Sequence, residues 1–435
     1  MALDLRALAR ERVLFFDCGT GTTLQARGLG AGRRPELWSV EKPEILVDFH
    51  RQCLAAGAEM LKINTFGANA AHFPPGEGFP LRDLIFAAVR NAREAIVREG
   101  REGSAWVAFD MGPTGQLLAP FGDLPLEEAV ALFREAAGCG AAAGADLILA
   151  ETMGDTLEAK AALLGARLAA PSLPLALTMT FEESGRLLTG GTPEAALLLA
   201  EAFGVQAFGV NCGAGPARVK QVLGKILPLA QVPVIANPNA GLPIVEGGQT
   251  RFAMPPAEFA AQCAELFDMG AALLGGCCGT TPAHIAALTG LLRGKTPLLP
   301  QGGAKKCACS ARRTVNLTAQ AAEACVLAEA DIAEALQSGD AGALCDTALD
   351  AECDGAALVE ISLPGDADPQ AVAALVGQLQ CAVQLPLCFR CEGAIAALEA
   401  ALLHTNGVPL VFAPGTDGFV KRYGAIVGQT IFNTN

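Results

Sequence analysis

The stretch AALLGGCCGTTP, residues 271–282, begins as a short apolar run and breaks into glycines, paired cysteines and a Thr-Thr-Pro. An apolar run closed by polar and small residues suits a parallel strand covered on both faces, with its functional groups at the C-terminal end. Working back along the chain, seven more runs have this form: Val13–Asp17, Glu59–Asn64, Trp106–Met111, Asp146–Glu151, Pro174–Thr180, Ala207–Cys212 and Val232–Ala236. Helix-forming segments such as Pro125–Ala143, Thr156–Ala169 and Pro256–Met269 lie between them. Eight strand–helix units in about 300 residues predict a closed (β/α)8 TIM barrel. A doubly wound open sheet is the competing arrangement, usually with fewer strands.

Leu291–Lys306 carries Gly294, Pro297, Pro300, Gly302 and Gly303, the composition of a linker. We divide the chain into a barrel over residues 1–295, a linker over 296–312 and a second α/β domain over 313–435. Strands are expected there at Val315–Leu317, Gly355–Ser362, Leu385–Phe389, Val408–Phe412 and Ala425–Phe432, with helices at Ala319–Ala335, Gln370–Gln380 and Gly393–Leu403. Five strands cannot close an eight-stranded ring, so this domain is expected to be a half-barrel or a small open sheet.

Composition narrows the chemistry. The chain of 435 residues is 51% hydrophobic and 17% charged, with no apolar run of the roughly 18 residues a spanning helix needs. Its net charge of −14 is a poor match for a phosphate backbone, so neither nucleic acid nor membrane is an expected partner. The start, MALDLRALARER, lacks the apolar core of a secretory signal. Fifteen cysteines therefore read as thiols of a reducing, cytoplasmic compartment. With only four histidines, thiolates are the expected ligands of any transition metal.

Polar residues gather at the strand ends: Asp17-Cys18-Gly19-Thr20, Asn64-Thr65, Asp110, Glu151 with Asp155, Cys212, Asn237 with Asn239, and Cys277-Cys278. Adjacent side chains on a regular strand face opposite ways, so Cys277 and Cys278 reach one ion only if the backbone bends, which Gly275, Gly276 and Gly279 permit. Cys212 ends a strand across the same mouth. Three thiolates and one open position describe a catalytic zinc site, whereas a structural site is closed by a fourth protein ligand. Thr281 and Pro282 suit the cap and first position of a helix. Plainer readings stand beside these: small-residue packing for the cysteines, helix N-terminal acids for Glu151 and Asp155, a turn for Asn237 and Asn239. Cys388-x-x-Cys391, with Cys307 and Cys309, has no matching second pair and is given no metal.

Taken together, FDCGTGTTLQ, INTFGAN, GPTG, AETMGDTLEA, FGVNC, ANPNAGLP and GGCCGTTPAHI closely resemble the homocysteine S-methyltransferase family, in particular the homocysteine-binding barrel of cobalamin-dependent methionine synthase. The likeness covers roughly residues 8–295 and departs at Cys18, where the family usually has Gly or Ala. It implies that Cys212, Cys277 and Cys278 hold Zn²⁺ and that the homocysteine sulfur takes the fourth position. It also implies that Glu151 and the loop around Asp17, Gly19 and Thr20 hold the amino-acid end, with Asn64, Thr65 and Asn237 lining the cavity.

The methyl donor is not set by this likeness. No Asp-x-His-x-x-Gly of a cobalamin module occurs, so methylcobalamin is expected in trans, on a separate corrinoid protein. S-methylmethionine or a betaine is an alternative donor, and a non-catalytic thiol- or zinc-binding subunit an alternative role. The tail resembles the first part of a pterin-binding barrel. Glu360-Ile361-Ser362 stands where that family has Asp-Ile-Asn, and Phe389-Arg390 where it has Asp-Ser. Folate binding is therefore expected to be lost, with the open half-barrel covered by a partner or a second copy.

Overall fold

The computed structural model describes residues 3–76, 78–213, 215–246, 249–300, 302, 307–317 and 323–428. The chain forms two compact units, one of Met1–Leu188 with Val205–Gly302, the other of Thr189–Gly204 with Gly303–Asn435.

The first unit holds an eight-stranded parallel sheet. In chain order its strands are Leu14–Phe15, Met60–Lys62, Trp106–Met111, Leu147–Met153, Leu175–Met179, Ala207–Cys212, Val234–Pro238 and Ala271–Leu274, called strands one to eight below. Each pairs with its sequence neighbour from two through seven; strand seven pairs with eight, and eight with one. The ring closes where Phe16 bridges Met60, flanked by Glu59 N–H to Phe15 O at 2.8 Å and Asp17 N–H to Met60 O at 3.1 Å. This is the expected TIM barrel.

Its interior is filled by Leu14, Phe16, Met60, Ala108, Leu147, Leu149, Ile235 and Leu273, with Leu5 and Ala9 of the helix Leu5–Glu11 packed against them. These side chains fill the barrel as a packed core rather than a pore. Two helix starts show how local sequence sets the boundaries. Asp155 caps Thr156–Ala169 by accepting from Glu158 N–H at 2.8 Å, so its acid is structural. Thr281 precedes Pro282–Leu292, with Pro282 in the first turn, and His284 Nδ1 accepts from the Thr281 N–H at 3.2 Å. An antiparallel hairpin, Pro243–Glu246 with Gln249–Phe252, follows strand seven and was not anticipated.

The second unit contains a five-stranded parallel sheet in sequential order: Ala324–Val326, Leu358–Leu363, Leu387–Cys391, Leu410–Phe412 and Ile426–Val427. Several of its elements differ from expectation: Val408–Phe412 is split, Val408 pairing with Cys309 while Leu410–Phe412 joins the parallel sheet, and the helix Gly342–Cys353 was not anticipated. Thr314–Asn316 belongs to an antiparallel sheet with Cys307–Ser310 and Gly407–Val408, so Val315–Leu317 is not the first parallel strand. That strand is Ala324–Val326, inside the segment read as one helix, which begins only at Glu329. Alanine-rich sequence favours helix locally, but pairing with Leu358–Glu360 overrides it. Residues 319–322 of that helix and 429–432 of the last strand lie outside the described residues.

Candidate functional site

The strand ends of the barrel bring three cysteine sulfurs together. Cys212 closes strand six with φ of 59°, an unusual backbone for a residue with a Cβ. Such a conformation costs on the order of 1–3 kcal/mol and persists where its surroundings enforce it. Cys277 and Cys278 follow strand eight. The three Sγ atoms lie within 4.8 Å of one another, the only such group of potential metal ligands among the described residues. A tetrahedral Zn²⁺ with Zn–S near 2.3 Å would need S···S separations of about 3.8 Å, which the bound of 4.8 Å admits.

Two glycines make the turn. A Cβ on Gly19 would stand 2.5 Å from the Cys277 carbonyl oxygen, so the strand-one loop reaches the cysteine pair only without a side chain. A Cβ on Gly276 would stand 2.3 Å from Thr280 Oγ1. That hydroxyl is the clasp of the turn: it donates to Cys277 O at 2.6 Å and accepts from Gly19 N–H at 3.1 Å. Asn211 donates to Cys277 Sγ at 3.7 Å and to Thr152 Oγ1 at 2.6 Å, and Asn239 donates to Gly213 O at 2.6 Å.

The thiols are unequal. Hydrogen bonds from Cys277 and Cys278 lower the Cys212 pKa to about 3. The same hydrogen bonding raises Cys277 to about 11 and lifts Cys278 further above its ordinary range. One sulfur thus carries the charge while its neighbours keep their protons. Ionising all three at neutral pH requires a cation among them.

Below the cysteines lies a buried ionic cluster. Lys62, on strand two, is 3% exposed; its Nζ donates to Glu151 Oε1 at 3.0 Å and to Gly276 O at 3.0 Å. Its backbone N–H donates to Asp17 Oδ2 at 3.0 Å. Burial disfavours the Lys62 charge, but Glu151, Cys277, Asp17 and Asp110 outweigh it and hold the ammonium well above its ordinary pKa. Burial is also the main force raising Asp17, Asp110 and Glu151, against the pull of Lys62. Asp110 lies within hydrogen-bonding reach of Glu151, beside the Lys62 ammonium.

The anticipated residues are placed as follows. Asp17, Glu151 and Asn237 are buried at the barrel mouth beside the cysteines, and Asp17 Oδ1 and both polar atoms of the Asn237 amide have no partner. Gly19 and Thr20 begin the helix Thr20–Ala26. Asn64 and Thr65 have their donors committed: Asn64 Nδ2 donates to Pro35 O at 2.8 Å and Ser39 Oγ at 3.1 Å, and Thr65 Oγ1 donates to Asp110 O at 2.8 Å. Lys62 was missed. Its signal is a lysine inside an apolar barrel strand, two residues from both Met60 and Asn64 and so on their face.

A parallel barrel with a three-thiol cluster and buried carboxylates at its mouth is the arrangement of one class of barrel, with sulfur ligands able to hold a metal at the strand ends. The chain belongs to the homocysteine S-methyltransferase family, whose sequence profile matches residues 14–292. It is similar to methionine synthase of Mycobacterium tuberculosis, 32% identical over 433 residues, covering 93% of this chain and 36% of that protein. It is also similar to methionine synthase of Mycobacterium leprae, 33% identical over 298 residues, covering 65% of this chain and 24% of that protein. The chain thus spans about a third or less of the length of these relatives. Among solved structures it resembles the Escherichia coli homocysteine methyltransferase MmuM. The oxidized form matches with a TM-score of 0.56 at 27% identity, covering 66% of this chain and 98% of that one. The metallated form matches at 0.54 and 28%, covering 66% and 99%. Among the described residues no helix is long and apolar enough to cross a membrane.

Proposed function

We propose that this protein is a zinc-dependent homocysteine S-methyltransferase that forms methionine, taking its methyl group from a methyl-corrinoid on a separate protein. The observation that carries this reading is the convergence of the Cys212, Cys277 and Cys278 sulfurs within 4.8 Å. Zn²⁺ held there would keep the substrate sulfur ionised at neutral pH, where a free thiol with pKa near 8.5 is mostly protonated.

The chain's own residues then bind and orient. Asp17 and Glu151 offer negative charge to the substrate ammonium, Asn237 Nδ2 is a free donor for its carboxylate, and backbone N–H groups of the strand-one turn add to that end. Asn211 and Thr280 fix the peptide that carries Cys277. With the amino-acid end anchored below, the sulfur faces the open mouth. Its lone pair attacks the methyl carbon in line, a C–S bond forms, and the bonding pair of the methyl leaves with the donor.

In the second unit, Glu360 is tied to Arg390 at 2.5 Å, and the Arg390 guanidinium lies 4.5 Å from the centroid of the Phe412 ring. An acid committed to an internal arginine supports reading residues 313–435 as a partial pterin-binding-like domain that has lost folate, serving as a docking or self-association surface. A cytoplasmic, reducing setting goes with this proposal, because the three thiols must stay reduced.

The test is metal analysis with a homocysteine titration under reducing conditions. About one zinc per chain and zinc-dependent thiol binding, both lost in Cys277→Ala, are expected. A zinc-free protein whose thiol binding survives that substitution overturns the reading. Parallel assays with methylcobalamin, S-methylmethionine and betaine assign the donor, methionine being expected from methylcobalamin.

A further inference from the structure

We propose that Asp110 is a further binding residue of this site, a carboxylate that receives the α-ammonium of the thiol substrate together with Asp17, while Lys62 holds Glu151 in place. The inference rests on the function proposed above. Three facts lead to it. Glu151 is not a free acceptor, since its Oε1 already takes the Lys62 ammonium at 3.0 Å. Asp110 Oδ1 is buried and has no hydrogen-bond partner, as is true of Asp17 Oδ1. A buried acceptor without a partner is costly, and a ligand that brings donors removes that cost. Third, the cluster sets three carboxyl groups against one internal cation, Lys62, and all four are at most 6% exposed. One ammonium with three N–H donors brings a second cation to the three carboxyl groups and partners for the two orphan oxygens.

Asp110 sits at the end of strand three, and its backbone carbonyl is fixed by Thr65 Oγ1 at 2.8 Å. That hydrogen bond holds the peptide independently of the carboxylate, so a side-chain substitution removes the acceptor without releasing the strand.

The experiment compares two thiols on zinc-loaded protein under reducing conditions: homocysteine, and 4-sulfanylbutanoate, which is homocysteine without its amino group. Wild type, Asp110→Asn and Asp110→Ser are titrated with each by calorimetry. A charge-assisted hydrogen bond lost from a buried site weakens binding roughly tenfold or more. We expect that loss for homocysteine in both variants, with the dissociation constant of 4-sulfanylbutanoate unchanged within about threefold. Equal weakening of both thiols, the result of a merely structural role, overturns the assignment, as does unchanged homocysteine binding. Wild type that binds neither thiol overturns the underlying function and this inference with it.

Discussion

Lys62 Nζ lies 3.0 Å from Glu151 Oε1, and the two side chains are 4% and 5% exposed. Strand two thereby donates a cation to strand four across the barrel, and the same ammonium reaches the carbonyl before Cys277. Removing one partner of a buried ion pair leaves the other charge uncompensated, at about 3–5 kcal/mol. Lys62→Met is therefore expected to lower unfolding free energy by that order. Glu151→Gln should do likewise, and the double variant should lose less than the sum, measured by urea denaturation.

The clasp at Thr280 gives a second expectation. Gly276→Ala would drive a methyl group into Thr280 Oγ1, the atom that joins Gly19 to Cys277. Overpacking of this kind costs about 1–3 kcal/mol. Zinc content after dialysis against a weak chelator should fall in this variant more than its melting temperature predicts, because the displaced group carries a ligand.

His50 supplies a pH dependence. It is 1% exposed, its Nδ1 has no partner, and burial lowers its pKa to about 4. In the unfolded chain it takes a proton below about 6.5. Stability tied to the neutral ring is thus full above pH 6.5, falls as the pH drops toward 4, and loses no more below that, about 3 kcal/mol in all. Wild type and His50→Gln should show unfolding free energies that diverge at neutral pH and converge at pH 4.

The inequality of the thiols is open to chemistry. Hydrogen bonding among the three holds the Cys212 pKa down and those of Cys277 and Cys278 up, so in zinc-free protein at pH 6 Cys212 is expected to ionise first. Iodoacetamide followed by peptide mass spectrometry should find Cys212 alkylated first, and added zinc should protect it. Preferential labelling of Cys278 would contradict this order.

The barrel was readable because each strand is a short apolar run ended by Gly, Pro or a polar residue, a pattern that burial on both faces demands. Strands three and six match their expected bounds, Trp106–Met111 and Ala207–Cys212. The site was legible where chemistry is rare in sequence, as in Cys277-Cys278. It was less so where the partner is distant. Nothing local tells that Asn64 is engaged with Pro35 and Ser39, or that Lys62 reaches Glu151 and Gly276, since both follow from ring closure. In the second unit, the strand Ala324–Val326 was hidden by alanine-rich flanks whose helix propensity is overridden by a neighbour.

The hydrogen bond from Gly19 N–H to Thr280 Oγ1 joins residues 261 positions apart. Cys212 precedes the cysteine pair by two helix–strand units, and the peptide of Cys277 is shaped only when strand eight docks beside strand one. Contacts of such sequence separation form late. A metal held by these three thiolates would thus report completed synthesis of the barrel: a growing chain that has not yet released strand eight from the ribosome has one cysteine of three in place, and the ion would seal the ring rather than seed it.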